Sequence, residues 1–258
     1  MNQRTTPQSD KTAVWDEFWA GKDPASIYPP VTNIAHELKD RTVLQGAKIL
    51  EVGAGTGRDS IALSAFGADV NILDYSRESL RLARASMHGE AVTLLLADAL
   101  HCPTESEHYD VVFHQGLLEH FKSPYALLRE NYRVLKKGGL LVVDVPQTFH
   151  VYTLIKHVLM VMNLWFAGWE RQFTIGSLSR LLKISGFQSV YFYGDWSRPG
   201  ILYKIVREIG KKVGVVLPMY PRFFGAITRA FYHLQNRLRK KRLFLYTVLS
   251  IGIIARKT

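Results

Sequence analysis

The stretch AKILEVGAGTGRDSIALSAFGADVNILDY, Ala47 to Tyr75, decides how the rest of the chain is read. Ile49, Leu50 and Val52 form an apolar run that ends in three closely spaced glycines, Gly53, Gly55 and Gly57. A helical pattern follows as far as Gly67, and a second apolar run closes on Asp74. These periodicities predict a strand, a tight turn, a helix and a second strand. Glycine is needed where the first strand stops, because a side chain there would hold a ligand off the backbone, and the helix N-terminus beyond it presents unpaired N–H groups. An acid closing the second strand is placed to accept hydrogen bonds from ribose hydroxyls. The stretch therefore predicts a nucleoside-containing cofactor at the carboxyl edge of a parallel sheet.

Spacing discriminates between cofactors. The dinucleotide fingerprint G-x-G-x-x-G/A, counted from Gly53, reserves position 58 for a small residue, and this chain has Arg58 there. The pattern present is Glu51-Val52-Gly53-Ala54-Gly55-Thr56-Gly57. It resembles motif I, (E/D)-x-G-x-G-x-G, of the class I S-adenosylmethionine (AdoMet) methyltransferases.

Further segments carry the same resemblance in the same order. After Asp74, SRESLRLARASMH reads as a crossover helix capped by Ser76, and VTLLLADA as a third strand ending at Asp98. YDVVFHQG predicts a fourth strand, followed by Leu118-Glu119-His120, the helix SPYALLRENYRVL, and Lys136-Lys137-Gly138-Gly139 turning into a fifth strand, LLVVDVP. These stretches are similar to the "LEH", "RVLKPGG" and apolar fifth strand of the small-molecule, type 11-like methyltransferases, with Lys137 where that pattern has proline. FTIGSLSRLLKISGF resembles the helix before a sixth strand, SVYFYGDW, and LFLYTVLSIGIIARK suits an antiparallel seventh strand. Strands alternating with helices at this spacing predict an α/β fold, a doubly wound, seven-stranded, mostly parallel, Rossmann-like sheet with a C-terminal antiparallel strand and helical insertions.

Composition bounds the setting. A chain of 258 residues with 47% hydrophobic content can build one large α/β domain. Its single cysteine, Cys102, excludes an internal disulfide and a Cys-based zinc cluster, and no secretory leader opens the chain, so a cytoplasmic protein, peripheral to the inner face of the membrane, is expected. The net charge of +11 is unevenly placed: residues 197–242 hold twelve Lys or Arg against one acid, Glu208, so the remainder is neutral.

The domain expectation is an N-terminal helical lid over 1–46 and the methyltransferase domain over 47–258. In VWDEFWAG, Val14, Trp15, Phe18 and Trp19 fall at helical spacing before DPASIYPP breaks the helix. That helix either caps the sheet or, as in the lids of the resembling family, brings Trp15, Trp19 and Tyr28 over cofactor and acceptor. Two insertions set this chain apart. The first, about 148–172, contains HVYTLIKHVLMVMNLWFAGW, with no acid before Glu170; it reads as a helix buried over the site or as an apolar, membrane-touching cap that admits a lipophilic acceptor. The second, 197–242, contains basic amphipathic helices: Ile201, Ile205, Ile209 and Val213 make one apolar face, and Phe224, Ile227, Phe231, Leu234 and Leu238 another, before RLRKKR. Such helices suit an anionic membrane surface; a helix packed on its own domain and a nucleic-acid arm are the alternatives.

The resemblance implies AdoMet as cofactor. By it, Glu51 orients the methionyl part, Gly53, Ala54, Gly55 and Gly57 make room for it, Asp74 with Tyr75 meets the ribose, Asp98 and Ala99 frame the adenine, and Gln115 and Gly116 line the pocket. An oxygen or nitrogen acceptor also needs a base, for which His114, Glu119, His120 and Tyr28 are the candidates. Strand parity leaves His114 open, and His120 is a base or a helix-positioning residue. No metal is required. The expected activity is methyl transfer from AdoMet to a small or amphiphilic acceptor such as a quinone precursor, lipid or lipid-linked sugar. The alternatives are an RNA methyltransferase and a non-catalytic AdoMet-binding membrane-associated protein. The first of these lacks the Asn/Asp-Pro-Pro-Tyr/Phe motif after strand four, where the chain reads His114-Gln115-Gly116-Leu117.

Overall fold

In the computed structural model the described residues are 8–22, 33–165, 167, 169–196, 200–212, 214–218, 233–235 and 237–258. Tyr28, Phe223, Phe224, Phe231 and most of the second basic amphipathic stretch lie outside them.

Seven strands form one sheet: β1 (Lys48–Val52), β2 (Asp69–Asp74), β3 (Val92–Leu96), β4 (Tyr109–Gln115), β5 (Leu135–Pro146), β6 (Phe187–Asp195) and β7 (Ser250–Lys257). Their spatial order is β3-β2-β1-β4-β5-β7-β6. β1 to β5 are mutually parallel, and β7 runs antiparallel to both β5 and β6. The strand order reverses between β1 and β4, so the carboxyl ends of these two strands open a crevice where ligands bind in such sheets.

Among the described residues the α-helices are α1 (Gln8–Trp19), α2 (Asn33–Lys39), α3 (Arg58–Ser64), α4 (Arg77–Ala85), α5 (Pro124–Val134), α6 (Val151–Val161), α7 (Ile175–Ile184) and α8 (Ile201–Lys212). Local chemistry sets several of their starts. Ser76 caps α4 by accepting from the Ser79 N–H at 3.1 Å. Pro124 opens α5, where its missing N–H costs nothing. Thr174 and Ser177 close a capping box on α7.

Strand parity divides the core. Leu50, Val52, Val112, Leu141, Val143 and Val145 face one side, against Leu127 and Leu128 of α5 and Leu178 and Leu182 of α7. Ile49, Val111, Phe113 and Val142 face the other, against Ile34 and Leu38 of α2 and Leu63 of α3. At ~25 cal/mol per Å² of apolar surface, these two layers supply the bulk of the folding free energy.

Three boundaries differ from the sequence expectation. β3 ends at Leu96, and Asp98 sits in the following turn, where its carboxylate accepts from the Leu100 N–H at 3.0 Å. β5 begins at Leu135, directly after α5, so the Lys-Lys-Gly-Gly run is part of the strand. The β4–β5 register jumps there from Tyr109↔Leu135 to Val111↔Leu140, and Gly138, at φ +76°, absorbs the extra residues. Residues 31–44 also read from their sequence as a helix leading into the first strand, and within them the helix is the shorter α2.

Candidate active site

The glycine turn joins β1 to α3. Gly53, Gly55 and Gly57 have φ of +66°, +56° and +66°, the left-handed region in which a side chain is strained. The turn is also crowded. A Cβ on Gly53 would lie 2.7 Å from Leu117 Cδ1, one on Gly57 2.6 Å from Ile72 Cδ1, and one on Gly55 3.1 Å from the Trp19 ring. Backbone is thereby left facing the crevice between β1 and β4.

Four carboxylates surround this edge. Glu51, on β1, is buried, and its Oε2 has no partner; burial, with Asp59 alongside, pushes it up to about 8 against a hydrogen bond from the Ser60 N–H. Asp59 itself accepts from the Ala35 N–H at 2.8 Å and so holds the start of α2. Asp74, at the end of β2, accepts from the Ser76 N–H (2.9 Å), the Ser79 hydroxyl (2.8 Å) and the Gly55 N–H (3.4 Å). Burial raises Asp74 against these donors and the Tyr75 N–H. Asp144, on β5 opposite Gln115, is raised to about 8, first by burial and then by Asp195 and Asp59.

The N-terminal helix is clamped over this edge. Asp16 of α1 accepts from the Ser76 hydroxyl at 2.5 Å and the Glu78 N–H at 3.3 Å, tying α1 to the start of α4. Trp19 is buried above Gly55, and Trp15 packs edge-on against His120 with ring centroids 5.1 Å apart. Trp15 also hydrogen-bonds Tyr75, whose hydroxyl burial and the acids Asp74, Asp98 and Asp16 push upward.

Beyond β4 the short 3-10 turn Leu118–His120 carries two of the candidate bases. Glu119 is buried, its Oε2 has no partner, and burial pushes it up to about 8, with Glu170 and Asp144 adding and Lys156 opposing. Burial lowers His120, while Glu170 raises it. His114 is different. It shares the parity of Val112 and points into the α5 and α7 side of the core, where it is fully enclosed with neither ring nitrogen partnered. Burial lowers its pKa to about 3, which keeps the imidazole neutral and makes it a weak base. Tyr28 lies outside the described residues.

The first insertion folds as a hairpin rooted in this turn. The Arg171 N–H donates to the Glu119 carbonyl at 2.7 Å, and the Arg171 guanidinium to the Lys122 carbonyl at 2.8 Å. Within the hairpin, Lys156 of α6 and Glu170 form a buried ion pair, and Trp165 Nε1 donates to Glu170 Oε1 at 2.6 Å. The crevice therefore brings together Glu51, the three glycines, Asp74, Tyr75 and, around the 3-10 turn, Glu119 and His120. It leaves out His114. Asp98 and Ala99 are half-buried beyond β3, while Gln115 and Gly116 close β4. Three features escaped the sequence reading: the Asp16 latch, Asp144 and the Lys156–Glu170 pair. In the last case the absence of any acid before Glu170 was a usable signal, since a lysine in an apolar stretch needs a partner. Among the described residues no group of His, Cys, Asp or Glu is arranged to hold a metal.

The comparisons agree with this geometry. Residues 50–143 match the model of the Methyltransferase domain family. A demethylmenaquinone methyltransferase of Staphylococcus haemolyticus (strain JCSC1435) is 32% identical over 177 residues, 60% of this chain and 74% of that protein. A ubiquinone biosynthesis O-methyltransferase of Glaesserella parasuis serovar 5 (strain SH0165) is 31% identical over 122 residues, 43% of this chain and 51% of that protein. A solved S-adenosylmethionine-dependent methyltransferase from Mesorhizobium loti superposes with a TM-score of 0.55 at 17% identity, covering 87% of this chain and 98% of that one. The chain belongs to the AdoMet-dependent methyltransferase family and has its class I fold. It spans about half the length of several curated relatives that it matches, at 44%, 51% and 40%.

AdoMet is the cofactor of this family, and the residues present fit it: a left-handed glycine turn at the carboxyl end of β1, the unpartnered Glu51 Oε2, and the Asp74 carboxylate at the end of β2.

Proposed function

We propose that the protein transfers a methyl group from AdoMet to a phenolic or hydroquinone-type ring that carries a long apolar chain, the class of a quinone precursor. The observation that carries this reading is the contrast inside the cap. A polar floor made by Glu119, His120 and the Lys156–Glu170 pair lies under a hairpin rich in Leu, Ile, Val and Met. A ring hydroxyl suits that floor, and an alkyl chain suits the hairpin. The quinone-related names of the relatives support the same acceptor class.

AdoMet supplies a methyl group already activated by its sulfonium. The protein's part is to orient the acceptor, exclude water and take its proton. Glu51, the glycine turn and Asp74 hold the cofactor. Trp15 and Trp19 cover it. Glu119, whose pKa burial pushes up to about 8, takes the acceptor's hydroxyl proton in its ionised form as the new oxygen–methyl bond forms, with His120 beside it. The basic segment 197–242 docks the enzyme on an anionic membrane, where such an acceptor resides.

The test is transfer from methyl-labelled AdoMet to a prenylated hydroquinone, to the same ring without its chain, and to total RNA. Label on the prenylated ring in clear excess over the bare ring is expected. Label on RNA, or equal labelling of both rings, would overturn the reading.

A further inference from the structure

α6 is built inside out. Its buried residues are Thr153 and Lys156, while Leu154, Ile155, Val158 and Val161 stand 52%, 48%, 59% and 81% exposed, and Met162 and Leu164 continue the exposed face. A helix on a water-soluble domain turns its apolar stripe inward, because burying each Leu, Ile or Val is worth about 1.5–3 kcal/mol. Here the inward stripe holds a lysine that needs Glu170 to be tolerated at all. Polar inside and apolar outside is the arrangement of a helix whose surroundings are less polar than the protein behind it.

We propose that the outer face of α6 inserts into the interfacial layer of an anionic lipid bilayer. Charge selects this occupant. The root of α6 is tied to the end of the basic segment: Gln147 Nε2 donates to the Tyr246 carbonyl at 3.1 Å, and the Phe149 and Tyr246 rings lie 6.4 Å apart. Arg237, Lys240, Lys241 and Arg242, just upstream of that contact, are all exposed. A twofold contact between copies through α6 would bring two such cationic runs together, whereas an anionic leaflet attracts them at ~1 kcal/mol per charge. No described helix is long and apolar enough to cross a membrane, which fits an element that lies in the interface.

The cationic run is not all available. Arg239 is buried against Glu37 of α2 and belongs to the fold. A charge variant must leave it intact.

This inference rests on the reading of a lipophilic acceptor, and its test is kept separate from turnover. The whole chain is labelled with an environment-sensitive fluorophore through Val158→Cys, Cys102 being buried, and titrated with acceptor-free phosphatidylcholine vesicles with and without phosphatidylglycerol. The expected result is a blue shift on anionic vesicles. Leu154→Gln/Val158→Gln/Val161→Gln should weaken vesicle affinity at least roughly tenfold, since deletion of three exposed apolar groups removes their burial in the leaflet. Lys240→Glu/Lys241→Glu/Arg242→Glu should weaken it mainly at low salt. Circular dichroism and AdoMet affinity should stay unchanged in both variants. Unshifted fluorescence with vesicles overturns the proposal. So does a blue-shifted probe without vesicles, whether the face is covered by residues 219–232 or by a second copy; a change in oligomeric state on the triple Gln substitution identifies the copy. A failure of methyl transfer with vesicle binding intact would count against the acceptor and leave the docking surface standing.

Discussion

The two ends of the crevice draw their polar partners from different places. At the β1–β2 end, Asp74 is held by Ser76, Ser79 and Gly55 and Asp59 by Ala35, donors at the starts of α4 and α2 and in the glycine turn, while Glu51 keeps one unpartnered oxygen. At the β4–β5 end, Glu119 has an unpartnered oxygen, and the counter-charge in the cap comes from α6, reached only through the hairpin fold. The cofactor end can be rigid because its ligand is always the same molecule. The acceptor end is held by a long-range ion pair in a hairpin whose outer surface is apolar. Stability and adaptability are thus segregated along one sheet edge.

The largest expected effect tests that segregation. Lys156→Met leaves Glu170 charged, buried and short of its cation, a loss on the order of 3–5 kcal/mol for a broken buried pair. If the cap is a separate unit, the cost falls on residues 148–172: their amide exchange should accelerate steeply while that of β1 and β4 is unaltered. Lys156→Met/Glu170→Leu should recover much of the loss. Uniform acceleration across the sheet would show that cap and sheet open as one.

Next in size is the response to pH. Glu119, Glu51 and Asp144 are each raised to about 8 in the fold, from ordinary carboxyl values of 4.5, 4.5 and 3.8. The folded state therefore holds protons that the unfolded chain releases, so stability is highest below the unfolded values and falls as pH climbs toward 8. A tenfold difference in proton affinity between the two states corresponds to about 1.4 kcal/mol, so even a part of this is readable in a urea midpoint. Glu119→Gln, which mimics the protonated acid among Glu170, Asp144 and Lys156, should flatten the decline between pH 5 and pH 8 without abolishing it, because Glu51 and Asp144 keep the same sign. An unchanged pH profile would mean that Glu119 is not held protonated.

At the cofactor end, Asp74→Ala should cost roughly 1–3 kcal/mol of AdoMet affinity, the scale of charge-assisted hydrogen bonds left unmade. Because Asp74 also holds Ser76, Ser79 and Gly55, some folding stability should go with it. Ser79→Ala is the control, since it removes one internal donor and no ligand contact. Calorimetric titration in which the two variants lose the same affinity would take Asp74 out of the ribose role.

The same contrast explains what could be read from the residues alone. The cofactor end was legible because its signals are compact: glycines clustered in one turn, and an acid at a strand end followed directly by a serine cap. The doubly wound architecture was legible from the alternation of short apolar runs with helices. The acceptor end depends on contacts distant in sequence. Nothing in the sequence near Asp16 announces a bond to Ser76, and Arg239 reads as one more surface cation until Glu37 of α2 is placed beside it. His114 was ambiguous for a simpler reason, as parity along β4 could not be assigned until the register with β1 and β5 was known. For α6 the hydrophobicity was visible and its direction was not, because periodicity identifies a face and cannot say which face looks inward.

The smallest expected effect concerns the bridge between the two ends. Trp15 of the N-terminal helix hydrogen-bonds Tyr75 at the cofactor end and packs on His120 at the acceptor end. Burial is the main cause that lowers His120, with Lys156 in the same direction and Glu170 opposing, and part of that burial is the indole itself. Trp15→Ala should remove an aromatic contact worth about 0.5–1.5 kcal/mol and admit water to the imidazole. The His120 pKa should then rise toward the ordinary histidine value, while that of the fully enclosed His114 should not move. Both are read from the ring proton resonances in one NMR titration, with His114 as the internal reference. A His120 that titrates alike in both proteins would show that the cap alone dries it, and that the N-terminal helix guards the cofactor without touching the chemistry at the acceptor.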